Sequence, residues 1–210
     1  MDDAVVESAY FDLDAQPGSG IGLMHLSEAD DPHWSGVVEL GPGQSWEISQ
    51  ESRYDFYVLF GEVDLGNLCL EVGDFAIRFG AGVVTARSSG ARIFVYREKC
   101  LQHGERYVSF AKTRVWRDAH APRMGVADLS KQGHAVSFVA WESGAHTRDH
   151  AHPRGEELLV LSGELINGVE HYPAGTWLRL HKHARHELCA NASALILLRN
   201  GHLANEPTGM

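Results

Sequence analysis

The sequence predicts an all-β protein built from two tandem copies of one β domain, and three observations carry that expectation. Short apolar and β-branched runs recur between glycine, proline and charged turns, while the i, i+3, i+4, i+7 spacing of an amphipathic helix is missing. The stretch "YDFYVLFGEVDL" (54–65) lies over "EELLVLSGELIN" (156–167), pairing Gly61 with Gly163. The period of this repeat, about one hundred residues, fits two copies of a domain and not a solenoid of short units.

In chain order the strand candidates are "SGVVEL" (35–40), "YDFYVLFGEVDL" (54–65), "ARIFVYRE" (91–98), "AVSFVAWESG" (135–144), "EELLVLSGELI" (156–166), "GTWLRL" (175–180) and "SALILLRN" (193–200). Their lengths and alternation suit strands, and many short strands with frequent turns suit a sandwich or barrel. A short helix is expected only around "KCLQHGERYVSF" (99–110) and at the chain ends. Charge and proline interrupt the alternation in "KTRVWRDAHAP" (112–122), which places the domains at 1–117 and 118–210.

Composition narrows the function classes. Of the 210 residues, 44% are hydrophobic and 22% charged, as in an ordinary globular chain with enough residues to bury a core. No apolar run approaches the roughly 18–20 residues that span a bilayer, and the opening "MDDAVVESAY" is acidic, so a cytoplasmic protein without a membrane partner is expected. Cys69, Cys100 and Cys189 are far apart and lack a CxxC pair, which argues against a disulfide framework or a thiolate zinc site. A net charge of -10 and no basic patch argue against nucleic acid. Histidine is the unusual residue: of thirteen, only His25, His33 and His103 precede residue 120.

The stretch "HTRDHAHPRGEELLVLSG" (146–163) concentrates that chemistry. Residues two apart on a strand share a face, so His150 and His152 present two imidazoles in one direction. Glu156, beyond the Pro153-Arg154-Gly155 bend, can return to the same centre, whereas Glu157 faces the other side. A fourth ligand is expected from His181, His183 or His186 in "LHKHARHELC". Imidazoles with a carboxylate suit Fe(II), Mn(II), Zn(II), Ni(II) or Cu(II), whereas calcium and magnesium want more oxygen. In the first copy the gap-free alignment puts Ile48, Gln50 and Tyr54 where His150, His152 and Glu156 stand, so no metal is expected there. Trp177 and Arg179, on the strand leading to the later histidines, are the candidates for gripping an anionic or carbonyl substrate.

The spacing Gly144, His150, His152, Glu156, Gly163 resembles the first motif of the cupin superfamily, G(X)5HXH(X)3,4E(X)6G, at every defined position. The second cupin motif is matched in part, by Gly168, Pro173 and Gly175. The longer stretch "YPAGTWLRLHKHARH" (172–186) is similar to the C-terminal cupin of ChrR-type anti-sigma factors and their bicupin relatives. The resemblance implies two jelly-roll barrels, the first degenerate, with one divalent metal held in the second by His150, His152, Glu156 and His186. No counterpart of the anti-sigma proteins' helical, sigma-binding zinc domain is visible.

The function expected on this basis is a metal-dependent, oxygenase-type reaction on a small organic substrate, Fe(II) being favoured, with Glu156 also a proton acceptor. Four protein ligands on a six-coordinate ion leave two positions open. A ChrR-like zinc module that senses without catalysis, and a metal-dependent isomerase or lyase, are the rival readings. A homodimer is compatible with the fold.

Overall fold

The computed structural model describes residues 6–100, 107–129 and 135–205. Asp14–Arg114 forms one compact unit, and Val115 onward, joined by the segment before Asp14, forms the other. In chain order the strands are β1 (Val6–Tyr10), β2 (Ile21–His25), β3 (His33–Leu40), β4 (Ser45–Ile48), β5 (Ser52–Leu65), β6 (Leu68–Glu71), β7 (Phe75–Phe79), β8 (Gly82–Lys99) and β9 (Tyr107–Ser109). They continue with β10 (Arg117–Asp118), β11 (Met124–Asp128), β12 (Ala135–Trp141), β13 (His150–Ala151), β14 (Glu156–Ser162), β15 (Glu164–Asn167) and β16 (Glu170–Pro173). The last are β17 (Thr176–Leu180), β18 (Arg185–His186), β19 (Leu188–Cys189) and β20 (Ala194–Asn200). Two single 3-10 turns, Ala111–Thr113 and His202–Asn205, are the helical segments among the described residues. The expectation of an all-β chain therefore holds.

In the 14–114 unit the sheet runs β2-β3-β8-β5-β7-β9, with β4 on β8 and β6 on β5. Its core gathers Trp34, Val38, Tyr54, Phe56, Val58, Ile93 and Val95. In the other unit the main sheet runs β1-β17-β14-β20-β12-β11-β10, accompanied by the ribbon β13-β18 and the three strands β16-β15-β19. Leu158, Val160, Leu178, Leu180, Leu188 and Ile196 lead its core.

The two units repeat one pairing plan: β3-β8-β5-β7 in the first corresponds to β12-β20-β14-β17 in the second. Gly61 and Gly163, matched in the sequence, have φ of 71° and 72°, and each lies against backbone: an added Cβ would stand 2.0 Å from the Gly90 carbonyl and 2.2 Å from that of Ser193. Both the left-handed conformation and the close approach exclude a side chain. Gly163→Ala is expected to destabilise its unit by roughly 2–4 kcal/mol, from αL strain plus displaced backbone, seen as a lower midpoint in urea unfolding.

Two expectations change. The sequence places the first residues in the N-terminal copy, but β1 pairs along its whole length with β17, from Val6 opposite Leu180 to Tyr10 opposite Thr176. In the 14–114 unit the corresponding edge of β7 is covered instead by β9, which follows it in the chain. The edge of β17 would otherwise be an unpaired ladder, and the chain start fills it. The helix expected around 99–110 falls partly outside the described residues, and its end, Tyr107–Ser109, is strand β9. Cross-strand pairing with β7 prevails there over a sequence lacking clear periodicity.

Candidate metal centre

Strand pairing builds the site. The two-residue ribbon β13-β18 sets His150 directly opposite His186 and Ala151 opposite Arg185. Outside the ribbon, the Arg185 guanidinium donates to Asp149 through Nε at 3.0 Å, joining the residues that precede the two histidines. Four residues beyond His152, β14 begins at Glu156, which pairs with Leu180 of β17 and Asn200 of β20. The turn between is pinned at the His152 carbonyl, which accepts from the backbone N–H groups of Gly155 (3.1 Å) and His183 (3.0 Å). His183 adopts a φ of 67°, the left-handed conformation that turns β17 back toward β18.

The imidazoles of His150, His152 and His186 converge, their ligand atoms all within 4.8 Å of one another, and this cluster could hold a metal ion. The Nε2 atom of His186 lies 3.1 Å from Nε2 of His150 and 3.1 Å from Nε2 of His152. Two nitrogens about 2.1 Å from a metal stand about 3.0 Å apart at a right angle and about 3.4 Å apart at the tetrahedral angle. The observed spacing therefore fits neighbouring positions on one ion. Glu156 lies beside the three-histidine cluster, with Oε2 3.2 Å from His152 Nε2 and Oε1 3.8 Å from His186 Nε2. At His150 the other nitrogen is committed, since Nδ1 donates to the Arg148 carbonyl at 2.8 Å and leaves the Nε2 lone pair facing the cluster.

Burial sets the charge state. Desolvation, reinforced by His150, pushes His152 down to about 4 against the hydrogen bond from Asn200. Desolvation, with His150 and His152, takes His186 to about 3 against the pull of Asp149. Both rings are neutral donors at neutral pH. Desolvation alone raises the buried Glu156 carboxyl to about 8. Among the described residues no cation offsets the burial of this acid beside two rings that resist protonation, and a divalent ion would do so.

The remaining sequence candidates separate by face. His181 is drawn to Glu7 on β1 at 2.5 Å, and His183 contributes its backbone to the turn, so His186 alone of the three joins the cluster. Arg179 and Trp177, expected to meet a substrate, lie elsewhere. Arg179 pairs across the sheet with Glu157, so both side chains leave the face opposite Glu156, and the Arg179 guanidinium sits 5.4 Å over the Trp177 ring. Period-two alternation makes this unavoidable: Leu178 and Leu180 face the core with Glu156, and residues 177 and 179 cannot.

That opposite face carries an ionic cluster that sequence reasoning missed. Glu157 accepts from Arg179 Nε, lies 3.4 Å from His202 Nε2 and stands opposite Arg199 of β20. All four residues are buried. Desolvation pushes Glu157 up, but Arg179, His202 and Arg199 together outweigh it and hold the carboxyl at about 2. Nothing in local spacing marks such a cluster, because its members come from four separate elements. Asn200 was missed for the same reason; its amide nitrogen lies 3.3 Å from His152 Nδ1.

In the 14–114 unit the residues aligned with the cluster do different work. Ile48 and Tyr54 are core residues, and Tyr54 stacks on Phe56 with Trp46 edge-on to both. The Tyr54 hydroxyl accepts from the Ser49 backbone N–H at 3.0 Å, and Gly82 stands opposite Ile48 where His186 stands opposite His150. No helix among the described residues is long and apolar enough to cross a membrane. No disulfide joins Cys69, Cys100 and Cys189.

Comparison with known structures supports this architecture. A Pseudomonas aeruginosa protein named for induction by glyoxylate superposes with a TM-score of 0.75 at 16% identity, over 90% of this chain and 83% of that one. Quercetin 2,3-dioxygenase from Acinetobacter baumannii does so with a TM-score of 0.66 at 14% identity, over 97% and 88%. A cupin 2 conserved barrel domain protein from Leptotrichia buccalis gives 0.65 at 14% identity, over 90% and 92%. At these identities the likeness is one of fold. No curated protein matches the sequence significantly. The family model described as ChrR Cupin-like domain matches residues 104–204, the stretch that holds all three clustered histidines and Glu156.

Proposed function

We propose that the chain is a bicupin metalloenzyme whose C-terminal domain holds one divalent transition metal, Fe(II) favoured, through His150, His152, His186 and Glu156, and acts on a small organic substrate in an oxygenase-type reaction. The observation that carries this reading is the convergence of three imidazole nitrogens at 3.1 Å spacings beside a buried carboxyl. When bound, such an ion supplies Lewis-acid polarisation and open positions for a chelating substrate or dioxygen. The 14–114 unit serves as a partner domain whose interior is aromatic and aliphatic.

The chain's own residues do the rest. The Arg148 carbonyl fixes the His150 ring through Nδ1. Leu158, Leu178 and Leu180, the inward-facing neighbours of Glu156 on β14 and β17, keep the floor of the site dry and strengthen every charge interaction there. The Glu156 carboxylate would help to hold the ion, and it could accept a proton from a substrate hydroxyl. The dioxygenase among the fold neighbours supports this choice of reaction class.

Elemental analysis of protein purified without oxygen is expected to find about one first-row metal per chain, and His150→Ala to lower that content at least tenfold. Oxygen uptake on a panel of diketones and hydroxylated aromatics then tests the reaction. Metal-free wild-type protein, or His150→Ala with full metal content, overturns the reading. The match to a ChrR cupin-like domain favours a second reading, a zinc-binding sensory module. Tightly held zinc with no oxygen uptake on the panel would select it.

A further inference from the structure

We infer that Asn200 is a positioning residue whose side-chain amide sets the tautomer of His152 by turning over, so that one imidazole is hydrogen-bonded both without and with a metal ion. The inference rests on reading His150, His152, His186 and Glu156 as a metal centre. Asn200 ends β20 directly opposite Glu156, and its Nδ2 lies 3.3 Å from His152 Nδ1. The other ring nitrogen, Nε2, lies 3.1 Å from His186 Nε2 and 3.2 Å from Glu156 Oε2.

A neutral imidazole carries one N–H and one lone pair. With the amide N–H donating to Nδ1, the ring proton sits on Nε2 and points at Glu156 Oε2 and His186 Nε2. That arrangement closes the cluster on itself, but it occupies the lone-pair position a metal needs. A half-turn of the amide brings Oδ1 to Nδ1. The ring proton then resides on Nδ1 and donates to Oδ1, leaving the Nε2 lone pair free. One proton leaves Nε2 and one joins Nδ1 through solvent, so the ring's charge is unchanged.

The contrast with His150 sharpens the role. His150 Nδ1 faces a backbone carbonyl, which only accepts, so that ring is held permanently with Nε2 free. His152 faces a group that can donate or accept. Aspartate at position 200 would only accept, and leucine would do neither.

Zinc is the probe, measured by chelator competition, with long-range 15N–1H spectra of the histidine side chains reporting the tautomer. Wild-type protein is expected to show His152 with its proton on Nε2 without zinc and on Nδ1 with zinc. Asn200→Asp should show Nδ1–H in both states and bind zinc at least as tightly as wild type. Asn200→Leu should bind zinc about 10- to 100-fold more weakly. An Nδ1–H tautomer in zinc-free wild type, or undiminished zinc affinity in Asn200→Leu, overturns the inference. If wild type binds no zinc or other divalent metal, the metal-centre reading fails with it. The zinc-free spectra of wild type and Asn200→Asp still judge the tautomer separately.

Discussion

Glu157→Ala is expected to destabilise the histidine-bearing unit by about 3–5 kcal/mol, because it removes the one carboxylate named in a fully buried ionic cluster and with it the acceptor of the Arg179 guanidinium. The carboxylate is fully buried between Arg179 and Arg199, its neighbours on β17 and β14's other partner β20, with His202 at 3.4 Å. Removing both charges together should cost much less than removing one. Glu157→Leu with Arg179→Met is therefore expected to recover part of the loss, and urea unfolding of the single and double variants at pH 7 measures the difference.

The same carboxylate gives the stability an acid limb. Its folded pKa, about 2, lies below the ordinary carboxylate value of 4.5. Between those values the unfolded chain binds a proton that the folded chain does not, so stability rises with pH there and is complete above about 4.5. It is lost as pH falls toward 2. A Glu157→Ala variant, already missing this contribution, should show a flatter dependence between pH 5 and pH 3.

Metal affinity is expected to rise about tenfold per pH unit up to pH 8 and then level off, because one proton must leave Glu156. Its carboxyl is held at about 8 by burial, whereas His152 and His186, at about 4 and 3, have no proton to release at neutral pH. Calorimetric titration with zinc in buffers of different ionisation enthalpy should find about one proton released per ion at pH 7. Glu156→Gln should bind more weakly and lose that release. Without metal the sign reverses for stability. Between pH 6.5 and 8 the folded protein keeps the Glu156 proton and the unfolded chain has lost it, so metal-free stability falls there as pH rises, by about 1.4 kcal/mol per unit, whereas below 6.5 the protons that the unfolded chain binds at His152 and His186 work the other way. Metal-loaded protein should not show that decline.

Much of the fold was legible because strand alternation and turn glycines are local properties. "YDFYVLFGEVDL" and "EELLVLSGELIN" occupy matching strands, and their glycines share one left-handed conformation and one close approach to a neighbouring carbonyl. The start of the chain was not legible. Nothing in "VESAY" says which sheet edge it will complete, and β1 pairs with β17, far along the sequence. The end of the stretch 99–110 was misread for a related reason, since Tyr107–Ser109 acquire strand geometry only by lying against β7.

The sequence by itself determined that His150 and His152 share a direction, that Glu156 can join them and that Glu157 cannot, since side-chain parity and the bend at Pro153-Arg154-Gly155 are encoded within a few residues. Residue spacing left His181, His183 and His186 open and only the family resemblance pointed to His186; of the three, tertiary structure brings His186 to the cluster, by pairing it with His150 across a two-residue ribbon. It also turned Arg179 and Trp177 away from the site, brought Asn200 to His152 and gathered Glu157, Arg179, Arg199 and His202 into one buried cluster. Local spacing fixes which face a side chain leaves from, but what it meets there depends on the register between distant strands, which the packing of the whole sheet sets.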